Sequence, residues 1–399
     1  MSSLESAEHS LSNKKIAVVH DWCFSRRGGE RVLESILNLF PNAELFLLFG
    51  DSTILVTKNT HVVRNSFLNK IPTIKHVYKA LLPLFPFAVE SLNLSGYDLV
   101  ISSSSCAAKG AIVDPTSFHV CYLHSPMRYA WDQRFLYAPS NLSWINPIKI
   151  FAACLMHILL TFLRAWDVCS SSRVNCFISN SSFVASRCFM YYRRDSFVLF
   201  PPVDLKRFFV DSSPATLSDK TLLLFGSWVP YKKMGPALEH CVAMGYKIIA
   251  AGHGKQLLDF QKKYAGNPLV TFHFNPSESL VAQLFHQSHA LLFPGVEDAG
   301  ITPIEAQASG IFVIAPNVGG TLESVIDEET GFLFDPTTEK SMAMAIKKCL
   351  ETPLTLDRRQ KNHDHAKQFA TEKFENSFLR LVTKEFSGYK NRTKVKVTT

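Results

Sequence analysis

The chain has 399 residues, enough for two or three domains with separate cores. Its 47% hydrophobic and 19% charged residues describe a globular protein and exclude a disordered or fibrous one. The formal charge of +8 is thinly spread, and only the tail from Lys390 to Lys396 is locally basic. No basic stripe or recognition module points to nucleic acid, whereas a mild attraction to anionic lipid or phosphorylated substrates is compatible with the charge.

The opening MSSLESAEHSLSN, residues 1–13, is polar, lacks the apolar core of a signal peptide and reads as a flexible terminus. Short apolar strands then alternate with helical stretches, the signature of parallel α/β architecture. In the first half the strands fall at Lys15–His20, Leu45–Phe49, Asp98–Ser103, His119–Leu123 and Val174–Ser179, with helices at Glu30–Phe40 and Phe183–Tyr192. A connector containing prolines, LFPPVDLKRF, and a polar stretch, Asp211–Lys220, lead to a second series. Its strands are Thr221–Phe225, Lys247–Ala251, Val270–Phe274, Ala290–Phe293, Phe312–Ala315 and Gly331–Phe334. Helices intervene near Pro236–Met244, Leu257–Tyr264, Leu280–Gln287 and Pro303–Ala308. This predicts a first domain over 14–204, a second over 205–369, a helix over 370–386 that belongs with the first, and a flexible basic tail over 387–399.

Nine cysteines are scattered without paired or zinc-like spacing, which suggests a reducing compartment and a cytoplasmic protein. Two apolar stretches interrupt the alternation. Ile150–Leu163 is too short to span a bilayer, which takes about 20 apolar residues. Ala80–Glu90, ALLPLFPFAVE, follows Lys70, Lys75 and Lys79, and basic residues beside apolar ones suit a membrane interface. Core packing and peripheral contact with the membrane face both stand as readings of these stretches.

Ligands of doubly wound sheets bind beyond the carboxyl ends of the strands. Five polar or Gly-rich loops map to such ends: RRGGE (Arg26–Glu30), HSPMRYAWD (His124–Asp132), SWVPYKK (Ser227–Lys233), GHGK (Gly252–Lys255) and GVEDAGITP (Gly295–Pro303). In the last, Thr302-Pro303-Ile304-Glu305 has the form of a helix start, with Thr302 as cap and Glu305 closing a capping box. Glu297 lies in the loop before it, where capping gives it no role.

With HDWCFSRRGGERVLESILNLFPNAELF, FISNSSFVASR, LLFPGVEDAGITPIEAQASG and GGTLESVIDEETGF, these loops resemble the retaining glycosyltransferases of sequence family 4. More narrowly, the chain is similar to the bacterial mannosyltransferase-like branch that acts in surface-polysaccharide assembly. The resemblance runs from about residue 15 to 335, and Glu297 and Glu305 with seven residues between them are its most specific signal. It implies a GT-B fold: two Rossmann-like doubly wound α/β domains facing a cleft, with a C-terminal helix crossing back to the N-terminal domain.

By the same resemblance, Glu297 contacts the donor sugar near the reacting carbon, and His124 lies near the 6-hydroxyl and the reacting face. Glu305 accepts the nucleotide ribose hydroxyls, and Lys232 pairs with the pyrophosphate. The N–H groups of Ile301, Ile304 and Glu305 face the phosphates, and Gly28 and Gly29 allow a close approach. Asp298, Gly300 and Thr302 complete the donor-binding set, while Asp21, Trp22 and Arg128 are placed on the acceptor side. No cofactor or metal is implied, and no Asp-x-Asp signature argues for one. The expected partners are a nucleotide diphosphate sugar, with GDP-mannose the first candidate, and a lipid-linked or glycan acceptor.

Two departures matter. Ser227 stands where the family usually has a second phosphate-binding arginine, and Ala299 where it commonly has phenylalanine, which predicts a looser loop. They keep open a catalytically degenerate partner subunit. A sugar-nucleotide epimerase with hydrolytic character is the remaining enzyme alternative.

Overall fold

The computed structural model describes residues 11, 13–132, 147–208, 210 and 220–393, and in it the predicted alternation becomes two separate sheets. The expected flexible N-terminus falls almost wholly outside the described residues, as do 211–219 and the end of the basic tail. Two compact units emerge: Met1–Phe200 together with Phe374–Thr399, and Pro201–Lys373. Helices of eight residues or more are numbered below.

In the first unit the strands are β1 (Ile16–Cys23), β2 (Glu44–Gly50), β3 (Val63–Asn65), β4 (Leu99–Ser104), β5 (Phe118–Leu123), β6 (Cys176–Ser179) and β7 (Phe197–Val198). They lie in the order β3-β2-β1-β4-β5-β6-β7, with every pairing parallel. Alternation along β1 splits its side chains between two cores. Ile16 and Val18 face one, Ala17 and Val19 the other. The helices are α1 (Gly28–Leu39), α2 (Pro147–Ser171) and α3 (Ser182–Tyr192). α1 buries Val32, Leu33, Ile36 and Leu37, one helical stripe, and its start is tied by the Glu30 carboxylate accepting from the Arg27 N–H at 3.0 Å.

The second unit holds β8 (Leu222–Ser227), β9 (Ile248–His253), β10 (Val270–Phe274), β11 (Ala290–Leu292), β12 (Phe312–Pro316) and β13 (Gly331–Phe334), in the parallel order β10-β9-β8-β11-β12-β13. Its helices are α4 (Met234–Ala243), α5 (Lys255–Lys263), α6 (Glu278–His286), α7 (Ile301–Ala308), α8 (Glu339–Glu351) and α9 (Leu356–Ala366). Each sheet reverses its strand order once, at β1/β4 in the first unit and at β8/β11 in the second. Those two reversals are the places where a doubly wound sheet opens a crevice.

The long C-terminal helix, α10 (Thr371–Thr393), belongs from Phe374 onward to the first unit. Phe374, Phe378, Leu379, Val382 and Phe386 form its buried stripe, and Phe374 and Phe378 pack on the Tyr122 ring. The helix does not give way to a flexible tail at 387. Tyr389 packs its ring on Phe118, and its hydroxyl and the Lys390 ammonium donate to the carbonyls of Pro115 and Thr116.

Two short edge strands, β3 and β7, carry too few residues to show a period and escaped the sequence reading. The apolar run Ile150–Leu163 is only the middle of α2, whose later turns carry Asp167 into the interior. Among the described residues no helix is long and apolar enough to cross a membrane. Asp167 meets Lys109 at 2.9 Å, both fully buried. Trp131 and the Tyr192 hydroxyl donate to the carboxylate, and the ammonium also donates to Ser170 Oγ. Removing one partner leaves the other charge stranded. Asp167→Ala is therefore expected to cost about 3–5 kcal/mol in chemical denaturation, and adding Lys109→Met should restore much of it.

Candidate functional site

At the β8/β11 reversal the chain brings Lys232 and Glu297 together. Lys232 ends the tight turn Pro230–Lys232 that follows β8, and Glu297 stands in the loop after β11. Lys232 Nζ lies 3.1 Å from Glu297 Oε1, with the side chains only 18% and 17% exposed. The two loops touch because residue 295 is glycine. A Cβ there would stand 2.9 Å from Lys232 Cα, a backbone atom that cannot swing aside. An ammonium and a carboxylate so placed offer complementary chemistry, the first for phosphate oxygens and the second for hydroxyls.

The Glu297 loop is gripped by the segment after β12. The Gly320 N–H donates to the Glu297 carbonyl at 3.0 Å, and a Cβ on Gly320 would stand 2.5 Å from Ala299 Cα. Gly319, at φ +86, lies against the Glu297 carbonyl in the same way. The loop is thus tight rather than loose at Ala299, which is itself buried. The sequence reading quoted GGTLES without seeing this purpose, since the contact joins residues about twenty apart. Gly320→Ala is expected to lower stability by about 2 kcal/mol, read as a denaturant midpoint shift, because backbone must move to admit the methyl.

α7 starts earlier than predicted. Its N-cap is Gly300, in the left-handed region at φ +71, not Thr302. Thr302 and Pro303 lie inside the first turn and Glu305 in the second, so the capping box does not form. The amides of the opening turn belong to Gly300, Ile301 and Thr302, Pro303 having no N–H, so the expectation that the N–H groups of Ile304 and Glu305 are free for phosphates is corrected, while that for Ile301 stands. Asp298 and Glu305 are both buried. Inside the helix, the Gln307 amide donates to the Ser324 carbonyl at 2.8 Å and ties α7 to the segment that grips the loop.

At the other reversal, His20 on β1 and Ser103 on β4 are register partners. His20 Nδ1 lies 3.0 Å from the Ser103 carbonyl, which can only accept, so Nδ1 carries the proton. Ser103 Oγ lies 2.8 Å from His124 Nε2, and the two imidazoles meet edge to face at 6.4 Å. Gly29, at the start of α1, faces both rings: a Cβ there would lie about 4 Å from each. Gly28 opens the same helix and is half-buried. His20 and Ser103 are the members that the sequence reading missed.

The residues expected on the acceptor side have defined places in the first unit. Asp21 is buried, and its carboxylate accepts from the backbone N–H groups of Ser105, Cys106, Ala107 and Ala108 at 2.6–2.8 Å and from the Ser105 hydroxyl. Both oxygens are occupied, and Asp21 anchors the loop after β4. Trp22 stacks on Phe49 at 5.8 Å and packs against Tyr78 and Phe85, a core role. Arg128 is half-buried in the loop after β5. Ser227 ends β8, while Lys233 is exposed with its ammonium 3.4 Å from the Pro336 carbonyl, and Lys255 is exposed at the start of α5. Among the described residues no three His, Cys, Asp or Glu side chains gather as a metal-binding group.

Burial, with the neighbouring His20 adding to it, pushes His124 down from an ordinary 6.5 to about 3. Burial likewise lowers His119 to about 4. Between those values and 6.5 the unfolded chain binds protons that the folded chain refuses, so stability falls as pH drops below 6.5 and is unaffected above it. His124→Gln is expected to flatten that acid limb, measured as denaturant midpoints at about pH 5 and about pH 7.

Two units of this topology, each with polar loops at its strand-order reversal, define the GT-B glycosyltransferase fold. Residues 211–369, which lie within the second unit, match the family model of the glycosyl transferases group 1. An alpha-1,3/1,6-mannosyltransferase, ALG2 of Dictyostelium discoideum, is 35% identical over 123 residues, which is 31% of this chain and 28% of that protein. Glycogen synthase of Mycobacterium tuberculosis is 31% identical over 121 residues, 29% of each chain. The chain thus matches less than a third of the length of these relatives. In fold, HepE of Anabaena in complex with UDP aligns over 93% of this chain and 100% of its own, with a TM-score of 0.65 at 17% identity. Sucrose-phosphate synthase of Thermosynechococcus elongatus aligns over 94% and 100%, with a TM-score of 0.67 at 16% identity.

Proposed function

We propose that the chain is a retaining glycosyltransferase that moves a hexose from a nucleotide diphosphate sugar, GDP-mannose first, to a lipid-linked or surface glycan acceptor. The observation that carries this reading is the Lys232–Glu297 pair at the β8/β11 reversal, immediately before the open N-terminus of α7. The mannosyltransferase relative supports the donor sugar, and the structures of HepE in complex with UDP and with UDP-glucose support a nucleotide-sugar donor.

When sugar leaves a nucleotide diphosphate, negative charge grows on the pyrophosphate and positive charge on the anomeric carbon. Lys232 and the amides of Gly300, Ile301 and Thr302 supply positive potential where the leaving group forms, an electrostatic role that asks for no metal. A phosphate that takes the ammonium frees Glu297 to hold sugar hydroxyls and to temper charge at the reacting carbon. Glu305 accepts the ribose hydroxyls. The acceptor attacks from the face the phosphate leaves, the phosphate takes its proton, and configuration is kept without a covalent enzyme intermediate. A neutral His124 suits recognition of a hydroxyl rather than a phosphate. Ser227, in place of a second cation, favours one alternative: a partner subunit that does not turn the donor over.

Calorimetry with GDP, UDP and ADP, without added metal and at low salt, tests the donor site. One nucleotide is expected to bind. Glu305→Ala should weaken it about tenfold, while Glu297→Ala should leave binding and lower transfer by a factor of about 100 or more. If no nucleotide binds, the donor site is misplaced and the partner-subunit reading takes over.

A further inference from the structure

Two sequence-distant apolar segments form one exposed surface on the first unit. On α2, Leu155, Ile158 and Phe162 make a single helical stripe at spacings of three and four, and all are exposed, Ile158 to 66%. Beside it lies the short helix Phe85–Glu90, whose Phe85, Pro86, Ala88 and Val89 are buried while Phe87 is 55% exposed. Phe87 stacks on Phe162 at 6.4 Å, so the stripe continues from one segment into the other and on to Leu84, also exposed. These side chains are not core: the core is satisfied by their neighbours, and the surface remains.

The charge around the surface is one-sided. From Ser52 to Val89 the chain carries Lys58, Lys70, Lys75 and Lys79, with Arg64 paired to Glu44 at 2.8 Å, and no Asp or Glu within the stretch. From Pro147 to Trp166 it carries Lys149 and Arg164, again without an acid. The acids that bound these stretches are engaged: Asp51 accepts from the Thr53 N–H at 2.9 Å, Glu90 is held by Arg173 at 2.6 Å and by the Trp166 N–H at 2.8 Å, and Asp167 pairs with the buried Lys109. Lys75 and Lys79, four residues apart, are exposed on either side of the exposed Val77. A protein partner would meet this surface with paired charges of both signs. Apolar side chains with cations alone match a bilayer surface that carries anionic headgroups over an apolar interior.

We propose that this face, with Phe87, Ile158 and Phe162 at its centre and Lys75 and Lys79 on the segment whose Tyr78 packs on the same Trp22 and Phe49 rings as Phe85, docks the chain on an anionic lipid membrane. The side chains enter the interface without spanning it. The inference stands apart from the transferase reading, because vesicle binding is measured without turnover.

Co-sedimentation with vesicles of phosphatidylcholine alone, and of phosphatidylcholine with phosphatidylglycerol, tests it on the full chain. Binding to the anionic vesicles only, weakened by added salt, is expected. Phe87→Glu with Ile158→Glu should reduce that binding about tenfold or more, and Lys75→Glu with Lys79→Glu should do the same through charge alone. All four positions are exposed, and unchanged thermal unfolding verifies that each variant folds. Absence of binding by the wild-type chain, or equal binding by the variants, overturns the proposal. A concentration-dependent dimer abolished by Phe87→Glu would also overturn it, by assigning the face to a second copy.

Discussion

The N–H of Gly320 reaches the carbonyl of Glu297, and that one backbone bond decides where the carboxylate of Glu297 can stand. Side chains can be repacked, but this grip is backbone against backbone, with glycine at 295, 319 and 320 because each contact leaves no room for a Cβ. The first unit reaches the same end differently. Its reversal is closed by the Asp21 carboxylate, which gathers four consecutive amides of the loop after β4. A carboxylate with that many donors is as rigid as a helix cap, and it fixes the end of the strand that holds Ser103 under His124.

The two sites differ in what their surroundings permit. Lys232 and Glu297 are mostly covered but face each other, so each charge has its counterpart. His124 has a serine hydroxyl, a second histidine and the Tyr122 ring as neighbours, none of which favours a proton on it. One site holds a pair of opposite charges and the other an imidazole that burial keeps neutral.

Most strands were legible because each is an apolar run bounded by glycine, proline or polar residues, and local order of that kind survives in sequence. Lys232 and Glu297 were also legible, as charged residues in loops that follow such runs. What was not legible depends on contacts across the chain. His20 and Ser103 meet only through strand register, 83 residues apart. Asp21 looks like an outward loop acid until the amides of 105–108 are brought to it. The start of α7 was misplaced because Thr-x-x-Glu is a good local cap, yet the chain enters the helix at Gly300, in the left-handed region that glycine takes without strain, and the helix begins sooner. Local preference yielded to a loop whose path is set from outside.

The return of α10 to the first unit has a consequence for how the protein is made. Phe118 and Tyr122 on β5 are covered by residues from Phe374 to Tyr389, which leave the ribosome after the whole second unit. The second unit is one continuous segment and can close as soon as it emerges, while the first, although begun earlier, waits with an open flank. Synthesis order and completion order are therefore reversed. Until the last helix arrives, the nascent chain shows its chaperones a greasy strand rather than a finished domain.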